Sequence, residues 1–151
     1  MALGRRYAID GQNAVASPTK TALVLTSTAA IRPFIYDMLL GSSAAPADNA
    51  CTIYIQRSTA AGTSTAVTPQ ALDPADPNAT ASAGKTLTVE PTYTANAILF
   101  HLALNQRASH RWIADPNGPI TLPATANNGV GVYWVHASFT GNVDTCVYFG
   151  E

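Results

Sequence analysis

The side chains in this sequence that could do covalent or metal chemistry are few, and their spacing keeps them apart. His101, His110 and His136 are the three histidines. Metal ligation would need them to converge with carboxylates, which nothing in the spacing demands, so structural or interface roles are expected. Ser109 and His110 have the types of two hydrolase-triad members, but no G-x-S-x-G elbow surrounds them and adjacency along the chain says little about geometry. Asp73 and Asp76, in LDPADP, carry oxygens of the kind calcium takes. They lack the alternating acidic spacing and turn glycine of a calcium loop, so they are expected to form turns. Cys51 and Cys146 have no C-x-x-C or Cys/His neighbour and make no metal site. Their apolar, strand-like settings suit reduced, buried thiols, with a disulfide as the alternative. No catalytic residue, metal or cofactor is expected, and an enzyme is the least supported class.

What remains is recognition chemistry. Arg5, Arg6 and Tyr7 near the N-terminus, and the pair Arg111-Trp112, are the candidate protein-interaction residues, because Arg and aromatic side chains dominate interface energetics. Trp112 and Trp134 could also stack on sugar rings, although Trp is equally a core residue. Asn78-Ala79-Thr80 matches a glycosylation sequon, which has no meaning without secretion.

Composition narrows the partners. The 151 residues are 47% hydrophobic but only 11% charged, with net charge −1. An average soluble domain carries about 25% charged residues, so burial of this surface against partners is expected. The basic residues are scattered apart from Arg5-Arg6, which argues against a nucleic-acid surface. No apolar run approaches the roughly 20 residues of a membrane-spanning helix. MALGRRYAID has no hydrophobic region after its arginines, so synthesis in a cytoplasm is expected.

These residues must be carried by strands. Cys51, Ile53 and Ile55 alternate with polar neighbours, as on a strand with one buried face. TALVLT at 21–26 is apolar on both sides and reads as interior. Ile98, Phe100, Leu102 and Leu104 share one face, and the apolar content opposite them near the strand's start suggests a mid-sandwich strand. Val132, Trp134 and His136 oppose Tyr133, Val135 and Ala137, and TCVYF at 145–149 reads as a last strand after Gly141-Asn142. PFIYDMLL at 33–40 holds β-branched and aromatic residues and reads as a strand. Asp115–Pro119 and Asn127–Gly129 are sharp turns framing a short strand. The fold expected is all-β, a jelly-roll-like antiparallel β-sandwich. Residues 1–20 are expected to form an N-terminal arm and first strand, and 21–151 a single domain with a long loop at 59–85.

GRRYAIDGQNAVAS, TAVTPQALDPADP, VEPTYTANAIL and RWIADPNGPITLPATANNGVGV together resemble a family of small structural proteins from tailed-phage head-gene clusters, over nearly the full length. The resemblance implies a head decoration, or cement, protein of jelly-roll type on the virion. It would sit on the capsid surface as a homotrimer, bound to the major capsid protein. The alternative is a tail or fibre tip that binds carbohydrate.

Overall fold

The computed structural model describes residues 4–14 and 19–151 of the chain. Among them are twelve strands and no helix: β1 (Arg6–Ala14), β2 (Thr19–Thr26), β3 (Phe34–Ser43), β4 (Ala50–Ala60), β5 (Thr63–Val67), β6 (Gln70–Ala71), β7 (Ser82–Val89), β8 (Thr92–Asn105), β9 (His110–Ile113), β10 (Ile120–Thr121), β11 (Gly129–Val135) and β12 (Asn142–Gly150). The first sheet runs β6-β1-β12-β3, with β9 and β10 following one another along the far side of β3. The second runs β5-β7-β2-β11-β4-β8, and every pairing is antiparallel.

The chain crosses between the sheets from β1 through β4, keeps to the second sheet through β5, β7 and β8 apart from a visit to the first at β6, then alternates again through β9, β11 and β12. Without the residues between β4 and β8, the order β1-β12-β3-β9 faces β2-β11-β4-β8. That is the strand order of a jelly roll, in agreement with the sequence reading. Between the sheets lie Trp134, Tyr7, Phe149, Ile53, Ile55, Met38 and Leu122, all fully buried.

Several strand assignments hold in detail. Cys51, Ile53 and Ile55 are buried on β4, and residues 21–26 are buried throughout, in the middle of the second sheet. PFIYDMLL lies in β3 from Phe34 onward, and Gly141, at φ +89°, turns the chain into β12. Asp115–Pro119 closes a turn in which the Gly118 N–H donates to the Asp115 carbonyl at 2.9 Å.

Three expectations need correction. The first strand expected within residues 1–20 is present as β1, but the described part of this stretch is no free arm. Arg6–Ala14 pairs along its whole length with β12 and also holds β6; residues 1–3 and 15–18 of the expected arm lie outside the described residues. The segment 59–85 is not one irregular loop. β5 and β7 extend the second sheet beyond β2, while β6 extends the first beyond β1, so this excursion covers both edges on one side of the sandwich. Finally, β8 is not mid-sandwich but the last strand of its sheet, with Ile98 46% and Leu99 37% exposed. Its register with β4 shifts three times, around Asn96 at φ +59°. Such bulges bend an edge strand and blunt its use as a template for pairing.

Candidate functional site

Period-two alternation builds a mixed aromatic and charged surface on the outer face of the first sheet. From β1 come Arg6, Ala8, Asp10 and Gln12, while Tyr7, Ile9, Gly11 and Asn13 turn inward. From β12 come Asp144, Cys146 and Tyr148, while Val143, Thr145, Val147 and Phe149 are buried. The register lines up Asp10, Cys146, Leu39 and Arg111 across four strands. On β3 the pairing with β12 skips one residue, so Tyr36 sits in a bulge between Ile35 and Asp37.

That bulge organises one end of the face. The Arg6 guanidinium lies 5.2 Å from the centre of the Tyr36 ring. Tyr36 is flanked by Phe34 and Tyr148, each with its ring centre 6.4 Å away and tilted. Phe34 lies over Gly150, where a Cβ would come within 2.4 Å of its ring. Burial raises the Tyr36 phenol above its ordinary range, with Arg6 pulling the other way, so the hydroxyl is neutral under the cation. A depression of about 210 Å³ opens between Arg6, Phe34, Tyr36 and the turn residues Asp115, Pro116 and Pro119.

Beside it, Asp37 holds Arg111 in a two-bond fork, Nε to Oδ1 at 3.1 Å and Nη2 to Oδ2 at 2.6 Å. Asp37 is nearly buried while the arginine side chain is 58% exposed, so the carboxylate fixes the plane of a guanidinium that still faces solvent. Hydrogen bonding to Asp37 raises the Arg111 pKa further and keeps the group charged. The neighbouring Cys146 thiol is the main cause raising the Tyr148 phenol, whereas burial is the main cause raising the thiol.

The five residues singled out from sequence therefore divide. Arg6 and Arg111 meet on this face, and Arg5 is exposed just before β1, its carbonyl accepting the Glu151 N–H at 3.0 Å. Tyr7 and Trp112 point the other way. Tyr7 is fully buried against Phe149, ring centres 5.4 Å apart, and Trp112 packs inward with its edge on Phe100. Each aromatic is the sequence neighbour of an arginine, and neighbours on a strand take opposite faces. Phe34, Tyr36 and Tyr148 were missed because a bulge, invisible to alternation, groups them.

The second sheet carries an aromatic row on its own outer face. His101 stacks on Tyr54 at 4.6 Å and 13°, Tyr54 on Tyr133 at 5.1 Å and 15°, and Tyr93 closes the row at 4.9 Å from Tyr133. Tyr54 is stacked between His101 and Tyr133, so the row is a stack rather than an open sugar-binding platform. Trp134 is fully buried and offers no platform either.

The remaining chemical candidates stay apart. Among the described residues no three His, Cys, Asp or Glu side chains are placed to hold a metal ion. His110 lies beside Phe100 and His136 beside Phe139, in separate places. The Asp73 carboxylate accepts the Ala75 N–H at 2.9 Å and its carbonyl the Asp76 N–H at 3.0 Å, a turn as expected. Cys51 and Cys146 are unbonded, one in each sheet. No helix among the described residues is long and apolar enough to cross a membrane. No family model, curated protein or solved structure matches the chain.

Proposed function

We propose that this protein is a structural attachment module which decorates a tailed-phage head shell as a homotrimer, docking through the outer face of its first sheet. The observation that carries the reading is the cluster of Arg6, Tyr36, Tyr148 and Phe34 beside the Asp37–Arg111 fork. Arginines pre-oriented by a ring and a carboxylate lose little freedom on binding, and Arg and Tyr are favoured interface anchors. The charge-poor surface and the resemblance of the sequence to phage head-cluster proteins support the same reading. Many copies on a symmetric shell hold firmly even when each contact is modest, through effective concentration.

A carbohydrate-binding tail tip would call for open ring platforms, whereas Trp134 is buried, Tyr54 is stacked between His101 and Tyr133, and Arg6 lies over the Tyr36 ring. The decisive experiment mixes the purified protein with expanded, undecorated shells of the source phage and measures occupancy by electron microscopy. Wild type is expected to saturate regular sites, and the pair Arg6→Glu with Tyr36→Ala to fall at least tenfold. Wild type that leaves shells bare would overturn the reading.

A further inference from the structure

A groove of about 310 Å³ crosses the outer face of the first sheet, away from the aromatic end. One wall is the row Asp10, Cys146 and Leu39. The other is Gln12 and Asp144, and it stops at Gly41, where a third side chain would stand.

Gly41 has no local reason to be glycine. Its backbone is not left-handed, and an added Cβ would meet only the Ser109 Cβ, at 3.7 Å, an ordinary contact. Gly11, one strand away, is different: there a Cβ would come within 2.9 Å of the Ala22 carbonyl oxygen of the facing sheet. Glycine inside a strand weakens it, and one the fold does not require marks close approach by something else.

The chemistry of the lining says what approaches. It holds two carboxylates, Asp10 and Asp144, and no cation. Asp10 already draws the Lys85 ammonium to 3.3 Å while remaining 75% exposed, and Asp144 accepts from Gln12 Nε2 at 2.7 Å. Both carboxylates lie to the β1 side of Leu39 and the bare backbone of Gly41 on β3, with Cys146 beside them on β12. An apolar trough with acids at its rim fits a side chain that has a methylene stem and a cationic head.

We infer that the groove is a docking slot for an arginine or lysine side chain presented by a partner protein. That the partner is the shell protein rests on the attachment reading above; the slot itself does not. Labelled protein titrated with acetyl-Gly-Arg-Gly-amide is expected to show saturable amide shifts confined to Gly11, Gly41, Cys146 and their neighbours. The Glu-containing peptide should bind at least tenfold more weakly. Gly41→Leu should abolish the shifts, and Asp10→Asn with Asp144→Asn should weaken binding several-fold, which keeps the test decisive if the leucine variant fails to fold. Scattered shifts, equal response to the Glu peptide, or full binding by folded Gly41→Leu would overturn the slot. In the shell assay, bare shells with wild type overturn decoration and leave the slot to the peptide result. Equal occupancy by wild type and Gly41→Leu overturns the slot's role at the shell and leaves decoration standing.

Discussion

Tyr7 is tied to Pro77: its hydroxyl donates to the Pro77 carbonyl at 3.0 Å, joining the first strand to the excursion seventy residues later. A residue that looks like an anchor for a partner is thus an anchor for the protein's own edge cover. Tyr7→Phe should cost about 1 kcal/mol, the net value of one hydrogen bond. Tyr7→Ala, which empties a fully buried site against Phe149, should cost about 3–5 kcal/mol. Urea unfolding of both variants checks this, and near-equal losses would show that the ring is not what matters.

The excursion has a second tie. The Glu151 carboxylate accepts the N–H groups of Thr80 at 3.0 Å and Ala81 at 2.6 Å. Glu151→Ala should speed hydrogen exchange at residues 80–81 and their neighbours, consistent with loss of about 1 kcal/mol locally, while β4 and β11 stay protected. Uniform acceleration across the chain would argue that the clamp supports the whole sandwich.

Stability should fall in alkali, beginning as the thiols of the unfolded chain titrate. Burial pushes the Cys51 thiol from its ordinary 9.0 up to about 11. A raised acid is neutral in the fold, so the unfolded chain releases its proton first, and stability is lost as pH climbs from about 9 to about 11, levelling beyond. Below pH 8 this group contributes no slope. Burial raises Tyr93 as well, which extends the decline to higher pH. Chemical denaturation between pH 7 and 11 should give a flatter profile for Cys51→Val than for wild type.

Gly131 makes room for Tyr93. A Cβ there would stand 2.2 Å from the Tyr93 hydroxyl oxygen, which lies 2.8 Å from Thr21 Oγ1. Gly131→Ala should therefore displace the ring and cost about 1–3 kcal/mol. In the background Tyr93→Ala the same change should cost much less, a coupling that a double-mutant cycle of thermal unfolding would measure. Additive losses would mean the two sites act separately.

How much was legible depends on what alternation can report. β2, β4, β11 and β12 declared themselves because large apolar residues fill the buried face. The first strand could be placed only loosely within residues 1–20, since the inward positions of β1 after Ile9 are Gly11 and Asn13. Gly11 is required by the nearness of Ala22, and the Asn13 amide donates to the Thr21 carbonyl at 3.0 Å in a buried site. Where the sheets come closest, small and polar residues replace the apolar ones that would have marked a strand. The excursion was hidden for a related reason: β5 and β6 are edge strands and β7 lies one strand in, where the backbone ladder holds them and Ala, Ser, Thr and Gly fill most positions. β8 was seen as a strand but misplaced, because alternation reports faces and not the number of neighbours. Arg6 and Arg111 were legible as interaction residues, but the aromatic cluster they join needed the bulge at Tyr36 to be known.

The pairing of β1 with β12 also sets how the protein answers to force. Arg6 lies opposite Gly150 at one end of the ladder and Ala14 opposite Asn142 at the other. Pulling Arg6 and Gly150 apart would load the hydrogen bonds one at a time, because they lie across the strands, so the ladder would unzip at low tension. A pull between Arg6 and Asn142 would instead shear all nine residue pairs together and meet much higher resistance. Whatever is joined to this molecule through those strand ends, the attachment point chosen decides whether the sandwich behaves as a zipper or as a clasp.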